Sequence, residues 1–272
     1  MKFGAVLRLL RMDANLSLRE LARQVGVSSA YISRIENGRD PSPTPERLRA
    51  IADTLGVPRV LLFELAHQTG PVLGAYLARV PAGGALMLEI ARRDLDQDQL
   101  RELRQLLDAR FPRPDSGLRP RSFGELIRPE RVVLDLACTT LEDLVMVAVA
   151  RLPAMDELGG PSREVLAERI RQREREASTA LGGGLMAPHA IVTGATPSAA
   201  LLTLATPLDV PTPDGAPVRL AIVLVSDAPG ELHLRALGRI ARLAAWDAVP
   251  ELVAQRTAEH VLAVLERLES HW

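Results

Sequence analysis

Between Arg110 and Ser122 the chain places Pro112, Pro114, Gly117 and Pro120. Proline has no amide proton and pushes its predecessor out of the helical region, so neither a helix nor a central strand can run through this stretch. It reads as an extended linker over residues 110–122, and the chain must fold as separate units on either side. The total of 272 residues suits two domains of ordinary size. A composition of 47% hydrophobic and 25% charged residues excludes a disordered chain. The longest apolar runs, Leu220–Val225 and Val145–Ala150, fall far short of the ~18 residues of a spanning helix. No membrane insertion is therefore expected. The N-terminus lacks an apolar run with a cleavage site, and a lone Cys138 cannot form an internal disulfide. The expected location is cytoplasmic.

Residues 1–70 hold ten basic and seven acidic side chains, and residues 121–272 hold 15 and 20. An excess that small does not by itself identify a nucleic-acid partner, so the motifs must. Ser17 is placed to cap a helix with Leu18, Leu21, Ala22 and Val25 on one face, and Gly26 permits a tight turn. Ser28 caps a second helix in which Ile32 and Ile35 face inward and Glu36-Asn37-Gly38 closes the end.

The register of Leu21-Ala22, Gly26-Val27-Ser28, Ile32-Ser33 and Glu36-Asn37-Gly38 resembles the XRE-like (lambda-repressor/Cro-type) helix-turn-helix family, over about Phe3 to Ala66. The resemblance implies an all-α domain over residues 1–66 whose second helix enters the major groove of double-stranded DNA. It puts Ser29, Ala30 and Arg34 where the family reads bases, with Tyr31 beside them. Arg34 is suited to guanine O6 and N7, and Asn37 and Arg39 to phosphate. It also implies a homodimer on an inverted-repeat operator.

Residues 67–109 read as a helical connector interrupted at Pro81, Gly83 and Gly84. In it Asp96 caps a helix bearing Leu100, Leu103, Leu106 and Leu107 on one face, a possible dimerisation element that could instead meet Leu77 and Leu86. Residues 123–272 mix helix and strand. Thr139 or Thr140 and Ser162 open helices, Ala199–Leu208 and Val218–Ser226 read as buried strands, and Leu232–Trp246 and Ala258–Leu268 return to helical spacing. The alternation indicates an α/β or α+β domain with a mixed sheet.

Within it, a charged helix through Arg173-Glu174-Arg175-Glu176 leads to Ser178-Thr179, then Gly182-Gly183-Gly184 and Pro188-His189. A histidine after a conformationally restricted proline suits nucleophilic chemistry at a ring nitrogen. This pattern, with His233-Leu234-Arg235-Ala236-Leu237, resembles the fructose/mannitol/nitrogen-type (type 2) EIIA domain of the bacterial phosphotransferase system, over about Phe123 to Leu268. The resemblance implies that His189 accepts a phosphoryl group from an HPr-like phosphocarrier. It gives Arg173 and His233 supporting roles, and Thr179 is placed to donate its hydroxyl. On the residues alone, Arg173 could equally pair within its charge run and His233 could cap its helix.

The whole reads as a DNA-binding transcriptional regulator that senses phosphotransferase state. The alternatives are a phosphocarrier serving a separate permease subunit, which would be an enzymatic role, and an unphosphorylated binding module. No cofactor is expected, since Gly182-Gly183-Gly184 lacks the Lys-Ser/Thr of a P-loop, and no metal, since no spacing suggests a ligand set. His67, His260 and His271 read as surface residues, and Cys138 as packing.

Overall fold

In the computed structural model the described residues are 3–57, 59–66, 70–111, 122–154, 160–228 and 231–270. The front of the chain forms five helices: α1 (Phe3–Asp13), α2 (Leu18–Val25), α3 (Ser29–Glu36), α4 (Pro45–Leu55) and α5 (Arg59–Leu65). Ser17 and Glu20 form a reciprocal capping box at the start of α2. Gly26, at φ 74°, ends α2 in the left-handed conformation that glycine adopts without strain. Ser28 accepts from the Tyr31 amide to open α3. Leu7, Leu10, Leu21, Ile32, Ile35, Leu48, Ile51 and Leu62 are buried between these helices.

Helix α1 is held on the end of α3 in two ways. A Cβ added at Gly4 would lie 2.1 Å from the Ile35 carbonyl oxygen, so only glycine allows the approach. Arg11 then donates Nε and Nη2 to the two Glu36 carboxylate oxygens at 2.7 and 3.0 Å, and Nη1 to the Leu16 carbonyl at 2.6 Å. Both side chains are buried.

The connector comprises α6 (Gly70–Arg79), α7 (Pro81–Arg92) and α8 (Gln97–Arg110). The interruption expected at Pro81 is present, with Val80 outside both α6 and α7, whereas the one expected at Gly83 and Gly84 is corrected here. Pro81 occupies the first turn, where its missing amide proton costs nothing, and the glycines continue α7. Gly83 instead serves packing, for a Cβ there would meet the Tyr76 ring at 2.9 Å. Asp96 and Gln99 form the capping box of α8. Leu100, Leu106 and Leu107 are 40%, 61% and 46% exposed. The prolines of the linker, Pro112, Pro114 and Pro120, lie outside the described residues, as do His67 and His271.

After α9 (Phe123–Leu126) comes a mixed six-stranded sheet with helices on both faces. Its strands are β1 (Val132–Leu136), β2 (Ala180–Gly182), β3 (Leu185–Met186), β4 (His189–Ile191), β5 (Ser198–Leu208) and β6 (Val218–Ser226). β6 is its spine: antiparallel to β5 and parallel to both β3 and β4. β1 runs parallel to β5, and β2 antiparallel to β3. The helices are α10 (Leu141–Arg151), capped by Thr140, α11 (Arg163–Glu176), capped by Ser162, α12 (Glu231–Ala245), α13 (Val249–Val253) and α14 (Ala258–Ser270).

Side chains of β6 alternate between two cores, as period-two geometry requires. Ala221, Val223 and Val225 join the core under α10 and α11. Leu220, Ile222 and Leu224 join the opposite one, which continues through α12 into the front helices without a break. Helices α1 and α5 pack on α12, and α1 also reaches β2. The front and rear units thus share apolar burial. No helix among the described residues is long and apolar enough to cross a membrane.

Glu36→Ala should strand the Arg11 guanidinium in this core and lower unfolding stability by about 3–5 kcal/mol. Urea titration checks this; a loss below about 1 kcal/mol would mean that the pair does not anchor α1.

Candidate functional site

Gly182, Gly183 and Gly184 have φ values of 82°, 63° and 76°; Gly182 ends β2, and Gly183 and Gly184 form the hairpin turn into β3. The Gly184 carbonyl accepts the Arg219 and Leu220 amides, which seats the hairpin on the start of β6. The Pro188 carbonyl accepts the Leu224 amide, and His189 opens β4 opposite Leu224. Ser226 ends β6, and α12 begins a few residues later. His233, in its first turn, sets Nδ1 2.9 Å from Ser226 Oγ. The two imidazoles are buried, with centroids 5.3 Å apart and planes tilted by 55°.

Arg173, in the last turn of α11, completes the group predicted for this region. Its Nη1 donates to the Ala177 carbonyl at 3.2 Å. Thr179 is a correction: its hydroxyl donates to Glu174 Oε2 at 2.6 Å and its amide to Oε1 at 2.9 Å. The hydroxyl proton is committed to Glu174, and Thr179 holds the turn after α11 instead of offering a donor at the histidines.

The residue that sequence reasoning missed is Asp13, the last residue of α1. Its carboxylate is 4% exposed and enters the space between the two histidines and Arg173. Asp13 Oδ1 accepts from Arg173 Nε at 3.1 Å and Nη2 at 3.0 Å, and lies 2.9 Å from His189 Nε2. Oδ2 and His233 Nε2 face each other at 3.9 Å, too far for a hydrogen bond, and neither has a hydrogen-bond partner among the described residues.

Burial on its own would raise the Asp13 carboxyl. Hydrogen bonding with His189, the approach of His233, and the charges of His189 and Arg173 outweigh it and hold the group well below the usual carboxylate range. The carboxylate is therefore ionised and can only accept. His189 Nδ1 lies 2.8 Å from the Ala187 carbonyl, which also can only accept. In this arrangement both ring nitrogens of His189 donate, and no lone pair is free at Nε2. His233 is pushed the other way, chiefly by burial, toward the neutral ring.

Asp13, His189 and His233 each present one donor atom within 4.8 Å of the others, a set that a metal ion could use. Their positions in sequence give no ligand spacing, so this grouping was not anticipated. Arg173 already supplies a positive charge against Asp13 Oδ1, which favours an anion at this place over a second cation. Cys138 is buried, and burial together with Asp143 raises its thiol, as expected of packing.

On the front domain, Ser29, Ala30 and Arg34 lie exposed along α3. Arg34 Nε donates to both Asp40 oxygens, at 3.1 and 3.0 Å. Tyr31 sits under the Arg47 guanidinium at 4.7 Å from its ring centroid. Asn37 Nδ2 donates to the Ser33 carbonyl at 2.7 Å, closing α3, and Arg39 is exposed. Asn37 and Gly38 border a cleft also lined by Arg8, Glu142, Arg171, Glu174, Arg175 and Asp214.

Because the Asp13 carboxyl is lowered by folding, its stabilisation should be complete above the ordinary value of about 3.9 and fade as pH falls through the depressed native value. Asp13→Asn should therefore cost about 3 kcal/mol at pH 5, and the gap to the unsubstituted chain should close in stronger acid. Unfolding free energies that run parallel from pH 5 to pH 2 would contradict an ionised Asp13.

Residues 2–65 match the family described as "Helix-turn-helix domain". Residues 125–268 match "Phosphoenolpyruvate-dependent sugar phosphotransferase system, EIIA 2". The HTH-type transcriptional repressor RghR of Bacillus subtilis (strain 168) is 39% identical over 80 residues, which is 29% of this chain and 56% of that protein. The chain thus spans little more than half of that repressor. A nitrogen regulatory protein of Bradyrhizobium diazoefficiens is 31% identical over 144 residues, 52% of this chain and 92% of that protein. Among solved structures, the nitrogen regulatory protein IIA-Ntr of Neisseria meningitidis aligns with a TM-score of 0.45 and 26% identity, over 52% of this chain and 97% of that one. The chain belongs, through residues 125–268, to the EIIA 2 family of the phosphotransferase system, and carries a helix-turn-helix domain in front of it.

Proposed function

We propose that this chain is a DNA-binding transcriptional regulator whose rear domain receives a phosphoryl group on His189 Nε2 from an HPr-like carrier. The observation that carries this reading is the hydrogen bond from His189 Nδ1 to the Ala187 carbonyl. It keeps a proton on Nδ1, so that once Nε2 is deprotonated its lone pair points into the space lined by Arg173 and His233. In transfer from a phosphohistidine carrier, that lone pair forms the new P–N bond. The donor's P–N bond breaks, and its ring leaves with the electron pair. Arg173 neutralises charge on the phosphoryl oxygens through charge-assisted hydrogen bonds. His233, kept neutral by burial, offers Nε2–H to another of them. A cleft bordered by Met12, Asn15, Gln172, Glu176 and His189 gives the carrier a route to the ring.

For the DNA side, the exposed Ser29, Ala30 and Arg34 support a base-reading surface on α3. Arg34 must exchange Asp40 for guanine, while Asn37 and Arg39 serve phosphates. The exposed Leu100, Leu106 and Leu107, with Leu88 at 59%, support a dimer through the connector. Such a dimer reads an inverted repeat with half-sites about 34–36 Å apart, or a multiple of that distance.

Incubation with phosphoenolpyruvate, enzyme I and HPr should label the chain with acid-labile phosphate. His189→Ala should abolish the label and His233→Ala only slow it; label persisting on His189→Ala would move the acceptor. On operator DNA, Arg34→Ala should relax preference at one base pair by about 1–3 kcal/mol. Arg39→Ala should weaken all sequences alike and flatten the salt dependence. Equal losses for Arg34→Ala on operator and random DNA would remove it from the base readers.

A further inference from the structure

Among the described residues, the side chain of Asp13 makes no hydrogen bond within its own domain. The turn after α1 is closed without Asp13, by the backbone bonds Ala14 to Leu10, Asn15 to Met12 and Leu16 to Arg11 and by the Arg11 side chain on the Leu16 carbonyl. Both described partners of its carboxylate, Arg173 and His189, belong to the rear domain. The space it enters is built for a larger anion than a carboxylate. Oδ1 is fully used, yet His233 Nε2 is buried and unpartnered 3.9 Å from Oδ2. A tetrahedral group on Nε2, with three oxygens, has one for Arg173 and one for His233. The carboxylate has two, both on one trigonal carbon, and leaves His233 short.

We infer that Asp13 is an anion supplied in cis to the phosphoryl site, so that docking of the helix-turn-helix domain on the rear domain and phosphorylation of His189 exclude each other. This rests on the reading of His189 as phosphoryl acceptor. Two features enforce the exclusion. Nε2 and Oδ1 stand at hydrogen-bond distance, 2.9 Å, leaving no room for phosphorus and its oxygens between them. A phosphoryl group would also add about −1.5 to −2 charges beside an ionised carboxylate. Conversely, docking puts a proton on Nε2 and removes the nucleophile. Transfer to His189 therefore requires Asp13 to leave, and the phosphoryl oxygens then take over Arg173. Docking also brings Asn37 and Gly38 into one cleft with Glu142, Arg171, Glu174 and Asp214. The rear domain thus stands beside a residue that the DNA reading assigns to phosphate, and the docked chain is the weaker DNA binder.

The test uses the full chain, with dyes on an exposed position of α2 and one of α14 to report interdomain distance. The variants are Asp13→Asn, which keeps the size of the side chain, Asp13→Ala, and His189→Glu, which sets a carboxylate against Asp13. Asp13→Asn and Asp13→Ala should accept label from phosphoenolpyruvate, enzyme I and HPr ~5–150-fold faster than the unsubstituted chain, the range typical of coupling between two sites. His189→Glu should separate the dyes without any phosphate, as should phosphorylation of the unsubstituted chain.

Absence of label on every chain would defeat the phosphoacceptor reading, while the His189→Glu distance would still test the docking contact. Label at equal rates on Asp13→Asn and the unsubstituted chain, or an unchanged distance in His189→Glu, would overturn the exclusion. Separation on adding EDTA, reversed by zinc, would overturn it in favour of a metal held by Asp13, His189 and His233.

Discussion

A charge buried at the junction of two domains is tolerated only while its counter-charges are in place, and among the described residues Asp13 meets that condition through Arg173 and His189. Removed from water without them, a carboxylate would cost several kcal/mol. The contact is for that reason sharply conditional. With the pair formed, α1 packs on α12 and β2; with His189 modified, the same carboxylate stands against a second anion. An apolar side chain at position 13 could hold the domains together but could not register what happens at Nε2.

The rest of the interface supplies adhesion. Helices α1 and α5 pack on α12, and one continuous core runs from Phe3 and Leu7 to Leu237 and Leu265. Gly4 and the Arg11–Glu36 pair fix α1 to the end of α3, so a movement of α1 carries the DNA-reading helix with it. A mobile α1 would allow Asp13 to withdraw while the reading helix stayed where it was. Rigid attachment makes one ionic contact answerable for the position of a whole domain.

Local chemistry was legible in the sequence wherever a rule acts within a few residues. Ser17, Ser28, Asp96 and Ser162 cap helices as their side chains predict. Gly26 and the glycine triplet take up positive φ, and β5 and β6 fall where the apolar runs lie. The motif around Pro188-His189 brought His189, Arg173 and His233 into one site, because the family pattern carries that long-range information. Asp13 has neither advantage. It lies 160 and 176 residues from its partners, and at the end of an amphipathic helix it reads as an ordinary solvated carboxylate. Thr179 failed for the opposite reason, since Glu174, five residues away, competes for its hydroxyl at shorter range. Pro81 does separate two connector helices and opens the second, as a first turn tolerates, but Gly83 and Gly84 were misjudged as breaks, since both continue α7.

His233 explains how one pocket can serve two anions of different shape. Burial depresses its basicity, so it meets either anion as a neutral ring with one proton to place. Ser226 decides where. The hydroxyl 2.9 Å from Nδ1 can accept a proton from that nitrogen or donate one to it. While Asp13 is docked, Nε2 has nothing at hydrogen-bond distance, and neither tautomer is rewarded at that end. A phosphoryl oxygen arriving near Nε2 changes the balance. The tautomer with its proton on Nε2 then gains a charge-assisted hydrogen bond, and Ser226 turns to donate to Nδ1. A permanently charged ring at position 233 would also bind the carboxylate tightly, erasing the difference between the two anions. A ring with no hydroxyl behind it would lose the support that fixes the proton on Nε2. The neutral, serine-backed histidine therefore discriminates: it gives little to Asp13 and more to the group that displaces it.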